Sequence, residues 1–291
     1  MRAADLRSGK SHGDENFPVA SLLLAPEYRK PILAFYHFAR AADDVADHPS
    51  LAPHDKLALL DGLEAGLDGA SNKDAEAAEL RAALAQRGLC DGHARALLQA
   101  FRQDATINRY HSWLELMDYC SFSAMPVGRF VLDVHGEPRA ARTASDAICA
   151  ALQIINHLQD CALDYRQLDR VYLPLDMLKR EGACVDELGQ VRASQGLRNC
   201  IQNLAERADR LLDTGESFAA RIRNPRLVRE IEVIIALARN NAARLRVEDP
   251  LQGGGRTRKP QALFITLATL LRSLTRSTPS AQGRTLDDAG A

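Results

Sequence analysis

The chain has almost no net charge, because its 37 Lys and Arg residues are matched by 38 Asp and Glu residues among 291 positions. Both signs are scattered along the sequence, and no basic stripe is present. Proteins that bind nucleic acids rely on contacts with phosphates and normally carry a basic excess. The charge balance therefore excludes nucleic acid as an expected partner.

Several other patterns are missing. The six cysteines form no CxxC pair and no zinc-type block with histidine, so we interpret them as reduced structural thiols. No GxGxxG is present, which argues against a Rossmann site. The N-terminus has no apolar signal core, and the longest apolar run, 262–271, is about half a membrane span. These absences predict a cytoplasmic protein.

Aromatic residues are also scarce, at eight Phe, six Tyr and one Trp, and alanine and leucine take their place. Both favour helix, and apolar residues recur at three- and four-residue spacing almost throughout. We predict an all-α protein with one domain at 13–275, a flexible N-terminus at 1–12 and a disordered tail at 276–291. The predicted helices span 31–47, 53–67, 74–87, 91–106, 112–134, 143–165, 194–220, 225–246 and 260–272.

A first column of polar residues lies in the segment FYHFARAADDVAD. Asp43 and Asp47 are four residues apart and share a helix face, with Arg40 and Tyr36 on the preceding turns. The surrounding residues are apolar, so this face is expected to be partly buried. Carboxylates gathered there need a cation, a proton or a basic partner.

A second column lies in ICAALQIINHLQDCALDY, where Gln153, Asn156, Asp160 and Asp164 follow at intervals of three, four and four. They form one polar stripe on an apolar helix. Burying the two amides without partners costs about 1–3 kcal/mol each. The stripe therefore predicts an internal polar cavity or specific partners.

Two such columns indicate a hard-cation site. Oxygen ligands without cysteine or histidine at zinc spacing favour Mg²⁺, which leaves coordination positions for phosphate oxygens. Arg40, Arg109, Arg170 and the hydroxyls of Tyr36 and Tyr172 could then bind the phosphates. The eight histidines show no metal-ligand spacing, and we interpret them as surface or core residues. A solvated helix face is the alternative reading of either column taken alone.

The predicted helix at 112–134 contains Pro126, which should kink it. Ala124 and Gly128 leave space beside the helix. Either close helix packing or a cavity wall explains these small residues.

Five ordered motifs resemble the squalene/phytoene synthase family, and within it the bacterial hopanoid branch. They are DENFPVAS (14–21), FYHFARAADDVAD (35–47), YCSFSAMPVGR (119–129), QIINHLQDCALDY (153–165) and RVYLP (170–174). The resemblance covers about residues 13–271. It implies an isoprenoid-synthase helical fold around a central active-site cavity.

The resemblance also implies roles for individual residues. Two or three Mg²⁺ ions would be bound by Asp43, Asp44, Asp47, Asn156, Asp160 and Asp164. Diphosphate would contact Asn16, Phe17, Ser21, Arg40, Arg109, Gln153, Arg170 and Tyr172, and Tyr36 would lie under the first motif as a catalytic residue. The cavity would be lined by Tyr119, Ala124, Val127 and Gly128.

For the reaction, the resemblance implies an isoprenoid diphosphate substrate. The favoured reaction is ionisation of presqualene diphosphate, rearrangement of the cation and capture by water to give hydroxysqualene, without NADPH. One alternative is condensation of two farnesyl diphosphates to presqualene diphosphate, squalene or phytoene. Another is a non-catalytic helical lipid-binding protein.

One departure from the family pattern bears on this choice. Many head-to-head synthases have Arg just before the first Asp of the second motif, where this chain has Gln159. A site with one cation fewer favours an enzyme that receives one diphosphate.

Because substrate and product are lipids, the amphipathic segment Ala262 to Leu274 suggests transient contact with a membrane surface. Pathway enzymes are further expected partners.

Overall fold

The computed structural model describes residues 3–6 and 25–275, and within these ranges the chain is helical without any strand. This confirms the all-α prediction. The eleven α-helices of the described part are α1 (Pro26–Ala46), α2 (Pro53–Leu67), α3 (Ala75–Arg87), α4 (Gly92–Asp104), α5 (Trp113–Ser123), α6 (Met125–Val134), α7 (Arg142–Leu168), α8 (Leu175–Arg180), α9 (Gln195–Gly215), α10 (Pro225–Leu245) and α11 (Lys259–Thr275). Short 3₁₀ turns span Ala3–Leu6, Arg139–Ala141, Val185–Gly189, Glu216–Arg221 and Pro250–Gln252.

Helices begin where the sequence offers proline or a side-chain cap. Pro26, Pro53 and Pro225 occupy first-turn positions, where the missing N–H costs nothing. The Ser112 hydroxyl accepts a hydrogen bond from the Glu115 amide at 3.3 Å and so caps α5. These local signals explain why most predicted helix starts agree with the structure.

The segment predicted as one kinked helix is broken into two. Ala124 leaves helical geometry between α5 and α6, with φ −120° and ψ −49°, and Pro126 lies in the first turn of α6. A Cβ atom on Gly128 would lie 2.3 Å from Ser145 Oγ and 2.6 Å from Cys149 Sγ. Gly128, predicted to line the cavity, is therefore a close-packing contact between α6 and α7.

Helix α7 is central, with α5, α6, α9 and α10 packed around it. Its Ile154 and Leu158 pack in a core shared with Leu197 and Leu204 of α9. A second core joins α1 to α2, α3, α4 and α6, and in it Phe35 stacks on Phe130 with ring centroids 4.0 Å apart. The two cores place α1 and α7 in neighbouring layers.

Four further features belong to the fold. All six cysteines are free, as predicted. Within the N-terminus predicted to be flexible, Ala3–Leu6 form a turn whose Ala3 is buried against the second core. The indole of Trp113 packs on the first core, and the Arg207 guanidinium lies 5.0 Å above its ring. In the described ranges no helix is long and apolar enough to cross a membrane.

Candidate active site

The first carboxylate column lies on the partly accessible face of α1. Arg40 Nη1 contacts Asp43 Oδ2 at 2.9 Å, and Asp47 is also partly accessible where the helix ends. Burial raises the pKa of Asp43 well above its usual range, and the charge of Asp47 raises it further, while Arg40 opposes both effects. The column therefore holds more negative charge than Arg40 compensates. Tyr36 lies half-buried one turn earlier.

Asp44 differs from its neighbours. Its side chain is only 4% exposed and accepts a hydrogen bond from Arg40 Nη2 at 2.6 Å. Asp44 follows Arg40 by four residues and precedes Asp47 by three, so it borders the column on its buried side. The structure makes Asp44 a buried partner of Arg40, and its role in metal binding stays a prediction.

The second column occupies an accessible stripe of α7. Gln153, Asn156, Asp160 and Asp164 are all partly exposed, although other helices pack around α7 and bury many of its side chains. The stripe therefore has open space beside it, into which these polar side chains are accessible. That this space is the predicted central cavity stays a prediction.

The charge of the first column raises the pKa of a carboxylate in the second. Burial raises the pKa of Asp164 to about 7, and the charges of Asp160 and then Asp47 of α1 contribute to the rise. Because Asp47 acts on Asp164 across the gap, the carboxylates of α1 and α7 form one negative region. Such a region takes up protons or cations in preference to remaining fully ionised.

Arg170 connects this region to a buried polar cluster around Asp104, a residue outside every motif. The cluster is formed by Asp104, Tyr119, His157, Arg170 and Tyr172. Tyr119 and Tyr172 each donate a hydrogen bond to Asp104, at 2.8 Å. Arg170 donates to Asp47 Oδ1 at 2.7 Å and to the Asp104 backbone carbonyl at 3.0 Å. Burial raises the pKa of Asp104 to about 6, although Arg170 and both hydroxyls oppose the rise.

The loop between α7 and α8 places Arg170. Asp169 ends α7 in the left-handed conformation, with φ 49°. The Val171 amide then donates to the Asn108 carbonyl at 2.9 Å, within an isolated parallel bridge between Arg109 and Val171. This pairing fixes the loop against the segment that follows α4. Arg170 is thereby directed toward Asp104, the last residue of α4.

Two residues predicted to bind diphosphate are engaged elsewhere. Tyr172 is buried and donates to Asp104, so its hydroxyl belongs to the buried polar cluster. Arg109 donates to the Asp169 carboxylate at 2.5 Å and so lies at the C-terminus of α7. Its cation stabilises that helix end, consistent with the negative pole of the helix dipole.

His157 connects the buried polar cluster to the stripe of α7. Its ring stacks on Tyr172 with centroids 3.5 Å apart, and its Nε2 lies 3.1 Å from Gln153 Nε2. Burial and then Arg170 lower its pKa to about 3, so the imidazole is neutral near pH 7. A neutral Nε2 can accept a hydrogen bond from the Gln153 amide nitrogen. The Gln153 side-chain oxygen is then available to a molecule bound beside the stripe.

Arg256 is a cation beside the second carboxylate column. Gln159 is buried and donates to the Gly255 carbonyl at 2.7 Å, and the next residue of that loop, Arg256, pairs with Asp160. Gly255 has φ +85°, and a Cβ there would lie 2.5 Å from Leu245 Cδ2. Because Asp160 and Arg256 are 96 positions apart in the sequence, no local motif indicated Arg256.

Of the remaining predicted site residues, three lie in the described part of the chain and three lie outside it. Tyr119 is buried with its hydroxyl on Asp104, Ala124 is buried at the helix break, and Val127 is 41% exposed. Asn16, Phe17, Ser21 and the predicted tail at 276–291 lie outside the described residues.

The donor set fits Mg²⁺. Carboxylate oxygens dominate both columns. Burial raises the pKa of Asp43 and of Asp164, and the charges of neighbouring carboxylates raise both further. In the described ranges no three His, Cys, Asp or Glu side chains are close enough to hold an ion by themselves. Proteins commonly bind Mg²⁺ through one or two carboxylates together with substrate phosphate oxygens, and the two columns offer that arrangement.

Comparison with known proteins identifies the family of this chain. The squalene/phytoene synthase family profile matches residues 10–261. The chain belongs to the squalene/phytoene synthase family. Within that family it is 53% identical to hydroxysqualene synthase of Rhodopseudomonas palustris over 249 residues, which are 86% of this chain and 85% of that protein. It is 49% identical to hydroxysqualene synthase of Sinorhizobium fredii over 246 residues, or 84% of each chain.

A solved structure supports the same placement. The crystal structure of squalene synthase HpnC from Alicyclobacillus acidocaldarius superimposes with a TM-score of 0.70 at 31% identity. The match covers 83% of this chain and 90% of that one. The helical arrangement around α7 is thus the fold of squalene/phytoene synthases.

Proposed function

We propose that the protein is a hydroxysqualene synthase, which converts presqualene diphosphate and water into hydroxysqualene and diphosphate. The observation that carries the proposal is the identity of about half with hydroxysqualene synthases over most of both chains. The reaction is a substitution without net oxidation or reduction. It therefore requires no NADPH.

The two carboxylate columns would perform the first task, which is to bind the diphosphate. Asp43 and Asp47 of α1 and Asp160 and Asp164 of α7 would hold Mg²⁺, and Arg40 and Arg256 are the cations beside them. Bound Mg²⁺ would neutralise the diphosphate and make it a better leaving group. Arg170 acts indirectly, because it is buried and fixes Asp47.

The deeper part of the stripe would perform the second task, which is to place one water molecule. Gln153 and Asn156 lie one to two turns below Asp160 on the same accessible stripe. The Gln153 oxygen, held by its contact with His157, would accept a hydrogen bond from the water. A lone pair of that water forms the C–O bond with the rearranged cation, and the oxonium proton passes to the released diphosphate.

A product assay tests the function. Purified protein incubated with Mg²⁺ and presqualene diphosphate, without NADPH, is expected to give hydroxysqualene by gas chromatography and mass spectrometry. A parallel incubation with farnesyl diphosphate tests the condensing alternative. Consumption of farnesyl diphosphate with presqualene diphosphate recovered unchanged would contradict the proposal.

Site variants separate an enzyme from a lipid-binding protein that has kept the fold. Asp43→Ala and Asp160→Ala are each expected to lower metal-dependent diphosphate release about 100-fold or more. Asp213→Ala is the matched control, because Asp213 is 63% exposed and pairs with Arg239 on the surface. Release that survives both site substitutions would overturn the proposed site.

A further inference from the structure

Helix α11 exposes a row of large apolar side chains. Leu263, Phe264 and Leu267 are 62%, 71% and 52% exposed, and their spacing places them on one side of the helix. α11 packs on α10, so this row faces away from the fold. Clustered exposed apolar residues of this kind mark interaction surfaces, whereas single ones are ordinary.

A basic groove of about 690 Å³ lies at the start of the same helix. Its cationic lining residues are Arg192, Arg198, Arg244, Arg256, Arg258 and Lys259. Its two carboxylates are engaged locally: Glu248 pairs with Arg244 at 2.6 Å, and Asp249 accepts from the Ala193 amide at 2.9 Å. The groove therefore presents a net positive surface.

The groove and the apolar row are continuous. Lys259 lines the groove and begins α11, and Leu263 and Leu267 follow it at four-residue intervals on the same helix face. We name Arg258, Lys259, Leu263, Phe264 and Leu267 the docking face. It combines apolar side chains with adjacent positive charge.

We propose that the docking face binds the surface of an anionic lipid bilayer, with α11 lying in the interface. Interfacial helices bind through buried apolar area and through attraction of Lys and Arg to anionic lipids. A soluble phosphate would use the groove but not the apolar row. A second copy of the chain would bring two positive surfaces together, which opposes self-association through this face.

The docking face lies near the candidate active site, so contact with a membrane would serve the reaction; this step rests on the proposed function. Arg256 lines the basic groove and also pairs with Asp160 of the second carboxylate column. Docking would therefore bring the rim of the site close to the bilayer. A lipid substrate and a lipid product could then exchange with the membrane without crossing bulk water.

Vesicle flotation of the purified full-length protein tests the contact independently of activity. We expect flotation with vesicles of phosphatidylcholine and phosphatidylglycerol, weaker flotation with phosphatidylcholine alone, and loss of this preference in high salt. Changing Leu263, Phe264 and Leu267 together to Gln should weaken partitioning about tenfold or more. Arg258→Glu with Lys259→Glu should remove the preference for phosphatidylglycerol.

Matched controls and contrary outcomes are available. Leu114→Gln alters a residue that is 77% exposed on α5, and Lys73→Glu reverses an exposed charge before α3; both should float like the parent. Circular dichroism confirms that each variant is folded. Equal flotation of the triple variant and parent, or no flotation of the parent, would overturn the proposal, as would a dimer in sedimentation that the triple variant abolishes.

Discussion

At the scale of single residues, the contact between His157 and Gln153 gives the sharpest test of water placement. His157→Phe keeps an aromatic ring against Tyr172 but removes the nitrogen that lies 3.1 Å from Gln153. If the water is misplaced, we expect the carbocation to lose a proton and give a hydrocarbon instead of being captured by water. We expect the ratio of hydrocarbon to hydroxysqualene to rise roughly tenfold, measured by mass spectrometry with presqualene diphosphate.

The same variant should release diphosphate at a rate within about threefold of the parent, because the carboxylate columns are unchanged. His135→Phe is the matched control, since that ring also packs against a tyrosine, Tyr28, with centroids 4.0 Å apart. An unchanged product ratio in His157→Phe would contradict a positioning role. A parent enzyme that makes no hydroxysqualene would instead contradict the proposed function.

Residues four apart on one helix could be assigned from the sequence, because α-helical geometry fixes their relative direction. Asp43 with Asp47 and Asp160 with Asp164 are of this kind, and both pairs lie on accessible faces. Asp104 could not be found in this way. It stands alone at the end of α4, and its partners Tyr119 and Tyr172 are 15 and 68 residues away.

At the scale of elements, the loop that carries Arg256 depends on a glycine without space for a side chain. Gly255→Ala would combine strain at φ +85° with a Cβ 2.5 Å from Leu245 Cδ2. We expect a loss of about 2–5 kcal/mol in the free energy of unfolding, measured by urea denaturation. A loss of diphosphate release should accompany it, because Arg256 moves relative to Asp160.

Gly253 supplies the control within the same loop. It has φ +79°, but an added Cβ would meet nothing within 4 Å. Gly253→Ala should therefore cost only the backbone strain, about 1–2 kcal/mol. Equal losses in the two variants would show that crowding against Leu245 does not constrain the loop.

Element boundaries were predictable where a local signal exists. Pro53 and Ser112 mark helix starts that the structure confirms. Pro126 correctly indicated a disturbance, but the backbone leaves helical geometry at Ala124 and two helices result. α8 was missed because its six residues, which follow Pro174, are too few for a periodic pattern.

At the scale of the whole molecule, Arg170 holds the two helix layers together. It donates to Asp47 at the end of α1 and to the backbone of Asp104 at the end of α4, while its own loop follows α7. Removing one partner of a buried charge pair typically costs about 3–5 kcal/mol. Arg170→Met should therefore lower the free energy of unfolding by about that amount at pH 8.

The free energy of unfolding lost in Arg170→Met should be larger at high pH than at low pH. Asp104 has a folded-state pKa raised to about 6, so folding favours its protonated form and ionisation costs stability as pH rises through that value. Without Arg170 the pKa of Asp104 should rise further. Urea denaturation should therefore show a smaller loss at pH 5 than at pH 8. Arg166→Met, which removes a surface contact with the Gln190 carbonyl, should show little loss at either pH.

The scarcity of aromatic residues has a practical consequence for the whole protein. Its one indole, Trp113, packs against the core shared by α7 and α9 and lies beneath Arg207. Fluorescence from selectively excited tryptophan therefore reports that layer alone, whereas circular dichroism averages over every helix. Coincident unfolding curves from the two signals would show that both layers unfold as one cooperative unit. An earlier fluorescence transition would show that the layer around α9 separates while α1 to α4 remain folded.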